Sequence, residues 1–358
     1  MQGGHSHVFS FHAGEGEPTV TGLELVRQAK GTLAGDTVEY GDWGTVQPDW
    51  AYAGPGFQYL YDVRRSPAAP SFAVDWPLVD TWHLRDQPGQ VHLRLTMLRQ
   101  TGDVVLASGD PPQNKLGNPR RLRYVLLECQ GDGLRSDFVS VIEPYVNSRV
   151  VRAVELLRVG PDAAAVKVEL PDDRVDYVYS STKAQQVVSL TDDVSVAGRF
   201  AHVRLKAGTV ESMVLVAGSL LRVGPITIAC ATPEWTGTVD DYDRAGGASN
   251  CLHTATRLPA GGALRGQELH LANDRVRNAS YTIREVRRKG AQTIIDLGDT
   301  TFVRGFKDDT DLKAGVLYDF EPGCTFSLPN HVRVSRSADG IYRAEFTAPV
   351  DLELPSQP

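Results

Sequence analysis

The sequence is poor in features that mark several large classes of protein. Its four cysteines, Cys129, Cys230, Cys251 and Cys324, form no CxxC pair of the kind that signals zinc binding or redox chemistry. No apolar run approaches the roughly 20 residues that a membrane helix needs, so we expect no membrane partner. The net charge of -7 argues against general affinity for nucleic acid, whose binding depends on many cationic contacts to phosphate.

Self-contained catalytic motifs are also missing. The sequence has no GxSxG nucleophile elbow, no phosphate-binding glycine loop with its lysine, and no HExxH pair for zinc. Acidic doublets such as Asp172-Asp173 lie in turns, where aspartate bonds its own backbone, so a glycosidase carboxylate pair is not favoured. His5 and His7 share a face of a probable strand, but no acidic or cysteine partner stands at a diagnostic spacing. We therefore predict no catalytic residues, no metal site and no cofactor.

Strand-type alternation is what the sequence does contain. In Val91–Met97 the apolar residues occupy every second position, which predicts a half-buried strand. Only two windows are compatible with a helix, residues 23–30 and residues 150–159, and the valine content of the second favours a strand. Many short apolar runs separated by glycine, aspartate and proline indicate antiparallel sheets. The predicted fold class is all-β.

The length of 358 residues suits one large sheet domain and a smaller one. The composition becomes polar near Thr232-Pro233-Glu234-Trp235, where we place the boundary. Residues 1–231 are predicted to form a large antiparallel, supersandwich-like β-sandwich. Residues 232–358 are predicted to form a small carboxyl-terminal β-sandwich.

A basic cluster surrounds a rigid, proline-rich turn at residues 109–115. The cations that we assign to ligand binding are Arg64, Arg65, Lys115, Arg120 and Arg121. Arginine binds carboxylate and sulfate with two parallel hydrogen bonds, which favours an acidic polysaccharide as the partner; the alternative is a solvated loop edge. Trp43 and Trp50 stand in a loop rich in glycine, proline and aspartate, and are candidates for stacking on sugar rings.

Several longer phrases of the sequence are similar to the heparinase II/III-like polysaccharide lyases. They are GGHSHVFSFH at 3–12, YLYDVRR at 59–65, SGDPPQ at 108–113, FVSVIEPY at 138–145 and YDFEPG at 318–323. The resemblance covers nearly the whole chain through family-typical phrases rather than a catalytic signature. It implies a secreted or periplasmic protein that takes part in the cleavage of a uronate polymer by β-elimination.

In that family a helical toroid precedes the sheet domain and supplies most of the groups for the elimination. A tyrosine or histidine acts as base and acid, and another group neutralises the uronate carboxylate. No helical domain precedes Gly3 here, so the resemblance implies a partner α-helical catalytic domain and carries over no catalytic residue. Zinc occurs in the family, where histidines bind it and take part in catalysis. The phrase around His5 and His7 resembles a later part of the family's β domain. We therefore assign neither zinc binding nor catalysis to these two histidines.

The resulting expectation is the carboxyl-terminal β region of such a lyase, forming one wall of a cleft for an acidic polysaccharide. A rival hypothesis is a stand-alone, non-catalytic carbohydrate-binding or structural module that binds glycan without cleaving it. An autonomous enzyme is less favoured, because the sequence offers no base with an activating partner.

Overall fold

The computed structural model of the chain describes residues 4–41, 56–86, 89–100, 102–113, 115, 117–160, 162–243, 250–273 and 278–355. These residues form antiparallel strands and two short 3-10 turns at Gly56–Tyr59 and Leu312–Ala314, with no α-helix among them. The all-β prediction is confirmed. In this described part, no helix has the length and apolar character needed to cross a membrane.

The chain divides into two compact units. Unit 1 comprises Met1–Leu156 and Val168–Pro171, and unit 2 comprises Leu157–Lys167 and Asp172–Pro358. In chain order, the first eleven strands are β1 Ser6–His12, β2 Thr19–Thr21, β3 Val26–Arg27, β4 Tyr61–Ser66, β5 Phe72–Pro77, β6 Val91–Arg99, β7 Asp103–Gly109, β8 Leu122–Gln130, β9 Val139–Val146, β10 Ala153–Val159 and β11 Ala163–Leu170.

Unit 1 contains a sandwich of two sheets. The five-stranded sheet has the order β1-β8-β7-β4-β3, and the four-stranded sheet has the order β2-β5-β6-β9. One apolar cluster contains Trp76 and Leu95 from the four-stranded sheet with Leu106 and Leu127 from the five-stranded sheet. A smaller cluster, which includes Val105 and Leu126, lies on the other face of the five-stranded sheet. Alternation of side chains along each strand produces this separation.

Neither window that was compatible with a helix is helical. Residues 153–159 form β10, which confirms the prediction of a strand. Within residues 23–30, Val26 and Arg27 form β3 and pair with Arg65 and Arg64 of β4. A window of eight residues is too short to offset the cost of starting a helix, so pairing with β4 prevails.

Unit 2 contains most strands of a ten-stranded sheet and a smaller sandwich. Its further strands are β12 Arg174–Ser181, β13 Val188–Ser189, β14 Val194–Lys206, β15 Thr209–Val223, β16 Ile226–Ala229, β17 Glu234–Thr238, β18 Asp241–Tyr242, β19 Cys251–Thr254, β20 Glu268–Ala272, β21 Asn278–Thr282, β22 Glu285–Lys289, β23 Gln292–Asp296, β24 Val303–Phe306, β25 Val316–Tyr318, β26 Thr325–Pro329, β27 His331–Arg336, β28 Tyr342–Phe346 and β29 Asp351–Glu353.

The ten-stranded sheet has the main order β10-β11-β12-β14-β15-β16-β29. The smaller sandwich stacks β17-β26-β20-β21 on β18-β19-β23-β22 around a core that includes Leu252, Leu271, Ile295 and Phe326. After it, β27 pairs with β15 and β29 pairs with β16, so the chain returns to the large sheet. The boundary between residues 231 and 232 stays a prediction.

Candidate functional site

The basic cluster predicted from sequence lies at one end of the five-stranded sheet of unit 1. β7 ends at Gly109 and β8 begins at Leu122, and these two residues are opposite each other in the ladder. Tyr61, the first residue of β4, is opposite Ser108 of β7. The connection from 110 to 121 therefore begins and ends beside Tyr61, which brings distant parts of the sequence together.

Side-chain hydrogen bonds hold this connection in shape. The amide of Gln113 donates to the carbonyl oxygens of Pro111 and Pro119, each at 3.1 Å. The indole Nε1 of Trp82 donates to the carbonyl of Gly117 at 2.8 Å, and the Trp82 residue is 51% exposed. These bonds tie Gln113 and Gly117 to their neighbours and leave an exposed indole beside the connection.

Tyr61 is the centre of a group of aromatic and charged side chains. The Arg121 guanidinium lies over its ring at 5.5 Å from the centroid, and the ring of Tyr40 meets it edge-on at 5.5 Å. Its hydroxyl donates to Oδ1 of Asp110 at 2.7 Å. Burial, followed by the bond to Asp110, raises the pKa of Tyr61, so the phenol remains a proton donor at neutral pH.

We call this region the aromatic-arginine surface and define it by Tyr40, Tyr61, Trp82, Lys115, Arg120 and Arg121. Lys115, Arg120 and Arg121 are exposed, and Tyr40 is 50% exposed. No ion pair of Arg120 occurs within the described residues. Three of the predicted cations thus lie where a ligand reaches them.

The other two predicted cations are placed differently. Arg64 is opposite Leu106 and Arg65 is opposite Val105, so these neighbours point to opposite faces of the sheet. Arg64 contacts Asp62 at 3.3 Å, and Arg65 contacts Glu128 at 2.8 Å. They cannot bind one anion together. Trp43 and Trp50 lie outside the described residues.

A buried arginine that was not singled out from the sequence lies beneath the surface. The Arg123 side chain is only 5% exposed and contacts Glu17 and Asp62, each at 2.8 Å, and the hydroxyl of Ser108. Burial raises the pKa of Asp62, but the hydrogen bond from Arg123 and nearby guanidinium charges outweigh it, so the pKa is lowered overall. The network fixes the start of β4 and β8.

Sequence reasoning also missed a second polar cluster on the four-stranded sheet. Asp75 accepts hydrogen bonds from the Tyr145 hydroxyl and His92 Nδ1, both at 2.7 Å, and from Arg94 Nη1 at 3.3 Å. The rings of His92 and Tyr145 are stacked with centroids 4.6 Å apart. Asp75 inside the apolar strand Phe72–Pro77 was the available signal, because a carboxylate buried in a strand requires partners.

This second cluster contains the residue types that a β-elimination uses, but its protonation favours a structural role. Burial, followed by the hydrogen bond to Asp75, raises the pKa of Tyr145 to about 12. A phenol held protonated in this way is a poor base at neutral pH. The Asp75 cluster is therefore better suited to stabilising the sheet than to abstracting a proton.

The histidines at the start of the chain do not come together as ligands. His5 Nδ1 contacts Asp132 at 2.7 Å at a highly exposed position, whereas His7 Nδ1 bonds the buried hydroxyl of Ser136 at 2.9 Å. Within the described ranges, no group of three or more His, Cys, Asp or Glu residues is arranged to hold a metal ion. Among the described residues, His5 and His7 therefore do not form a zinc site of the kind that occurs in the family.

The aromatic-arginine surface combines ring faces, two exposed guanidinium groups and an amine at the end of the five-stranded sheet. Rings of this kind stack on the apolar faces of sugars, and the guanidinium forks match carboxylates. Comparison with family models, with curated proteins and with solved structures finds no match to this chain, so its function is inferred from this geometry.

Proposed function

We propose that this chain binds an acidic, uronate-bearing polysaccharide through the aromatic-arginine surface, as the β region of a heparinase II/III-like lyase. The observation that carries the proposal is the exposed Arg121 guanidinium stacked on Tyr61, beside the turn that presents Lys115 and Arg120. In an intact enzyme this surface is one wall of the cleft, and a helical catalytic domain supplies the elimination chemistry.

The arrangement suits a uronate polymer better than other polyanions. The net charge of -7 weakens long-range attraction to any polyanion, so affinity depends on local contacts. Stacking requires ring faces spaced along a chain of sugars, and Tyr40 and Trp82 are half exposed. Asp110, which accepts a bond from Tyr61, repels a dense array of phosphates but accepts hydrogen bonds from sugar hydroxyls.

The test is a binding titration with polygalacturonate and heparin as probes and dextran as the neutral control. We expect the double variant Arg120→Ala, Arg121→Ala to lower the affinity for the acidic polymers by roughly tenfold or more. The reason is that a hydrogen bond to a charged group contributes about 1.5–3 kcal/mol. Isothermal titration calorimetry measures the change.

Arg99→Ala is the matched control, since Arg99 is exposed at the end of β6 and is not one of the residues that define the aromatic-arginine surface. Unchanged affinity in the double variant refutes the proposal. Sequencing the gene upstream of the Met1 codon distinguishes a lyase from the rival hypothesis: an in-frame helical domain favours the lyase, and a stop codon there favours a non-catalytic binding module.

A further inference from the structure

Unit 2 contains a long polar groove that has no part in the surface described above. Two cavities of about 710 Å³ and about 610 Å³ open on it. Arg199, Ala217 and Glu234 line both cavities, so the two lie side by side with these residues between them, and we refer to them together as the groove. An elongated, open groove of this size fits a chain-like ligand better than a compact one.

One wall of the groove is the polar outer face of a sheet whose other face packs on the core. In the sheet β17-β26-β20-β21, Leu271 and Phe326 turn inward to the core of the smaller sandwich. Their strand neighbours face the other way and line the groove: Glu234, Thr236, Thr238, His270, Thr325 and Ser327. Alternation along the strands thus separates an apolar core face from a face of hydroxyl, imidazole and carboxylate groups.

The polar side chains of the groove are uncommitted. Within the described part of the chain, the side chains of Arg199, Glu234, Thr236, His270 and Ser327 have no hydrogen bond or ion pair to protein groups. This differs from the polar clusters of unit 1, where Asp62 and Asp75 are each bonded by several partners. The groove therefore offers donors and acceptors that a ligand can use without breaking existing bonds.

The middle of the groove is a strained backbone segment. Ala217 has a φ of +45°, which is costly for a residue with a Cβ atom. The ladder between β14 and β15 is irregular two residues away: Ala197 is opposite Leu220 but Gly198 is opposite Gly218, so Ser219, which lines the second cavity, is an extra residue on β15. A Cβ atom on Gly218 would lie 2.7 Å from the carbonyl oxygen of Ala197, so glycine is required.

Such bulges re-aim side chains and concentrate at functional sites. Here the irregularity accompanies the exposure of Arg199, an unpaired cation, to both cavities. A strained backbone and a bulge beside the exposed Arg199, where this cation meets the hydroxyl groups of the groove, are the observations that point to a ligand.

We propose that this groove is a second glycan site, in which Arg199 binds a carboxylate of an acidic oligosaccharide and the Thr, Ser, His and Glu side chains bond its hydroxyl groups. The class of polymer rests on the proposed function, but the residues are separate. An extended peptide fits less well, because peptides add to a strand edge, whereas this wall is the side-chain face of a sheet.

The experiment titrates the full chain with purified oligogalacturonate, using the double variant Arg120→Ala, Arg121→Ala as background. There, Arg199→Gln lowers the remaining affinity roughly tenfold, as expected for the loss of a charge-assisted hydrogen bond. Arg222→Gln is the control, since Arg222 is exposed on β15 and does not line the groove. Equal affinities of the two variants overturn the inference.

The outcomes separate the two sites. If Arg199→Gln weakens binding while the double variant alone has no effect, glycan binding in the groove is supported and glycan binding at the aromatic-arginine surface is refuted. If only the double variant weakens binding, the groove inference fails and the proposed function stands. Polyglutamate is titrated in parallel, and binding as tight as that of oligogalacturonate overturns the assignment to glycans.

Discussion

Replacing Arg123 by methionine is expected to lower the free energy of unfolding by about 3 kcal/mol, the low end of the range for breaking a buried ion pair. Methionine fills the space but leaves Asp62, with a side chain 14% exposed, without its shortest cationic contact. Arg27 and Arg64 still contact Asp62, which limits the loss. Glu17 is 63% exposed and is solvated by water in the variant.

Urea unfolding measures this change. Arg120→Met is the control only three residues away, because Arg120 is exposed and has no ion pair within the described residues; its effect stays within about 0.5 kcal/mol. Equal midpoints for the two variants would mean that the Arg123 network does not stabilise unit 1.

The second large effect is expected at Asp75. Asp75→Asn removes the charge that three donors share and leaves Arg94, with a side chain 18% exposed, beside a neutral amide. We expect a loss of about 2–3 kcal/mol at neutral pH, as for one or two hydrogen bonds to a charged group. Chemical denaturation at neutral pH measures the loss.

The same variant predicts a pH dependence. Burial raises the pKa of Asp75, but hydrogen bonds from Tyr145, His92 and Arg94 outweigh it, so the pKa lies below the ordinary 3.8. A carboxyl group with a lowered folded pKa stabilises the fold above its unfolded pKa, and this stabilisation is lost as the pH falls through the folded value. The difference in stability between wild type and Asp75→Asn therefore shrinks below pH 3.8.

Asp103→Asn is the matched substitution at an exposed carboxylate. We expect it to leave the denaturation midpoint unchanged. A constant gap between wild type and Asp75→Asn from neutral to acid pH contradicts the shifted pKa. The double variant with Tyr145→Phe measures the coupling, because residues that share one hydrogen-bond network are not additive.

The local alternation of apolar and polar residues was sufficient to predict strands. Residues that alternate along Val91–Met97 form β6, with Leu95 and Met97 fully buried, as predicted. A period of two is a property of the extended backbone itself, so it can be read without knowing the neighbouring strand. The exposed cations near the proline-rich turn follow the same logic, since turn residues lie on the surface.

The sequence by itself thus determined an all-β chain, its main strands and the segment that carries Lys115, Arg120 and Arg121. Tertiary structure alone decided that Arg123 is buried on Asp62, that Arg64 and Arg65 face apart, and that Asp75 gathers partners from β6 and β9. It also decided that Arg199 opens into a groove. Strand pairing joins residues far apart in sequence, and neither its register nor its bulges can be read from local alternation.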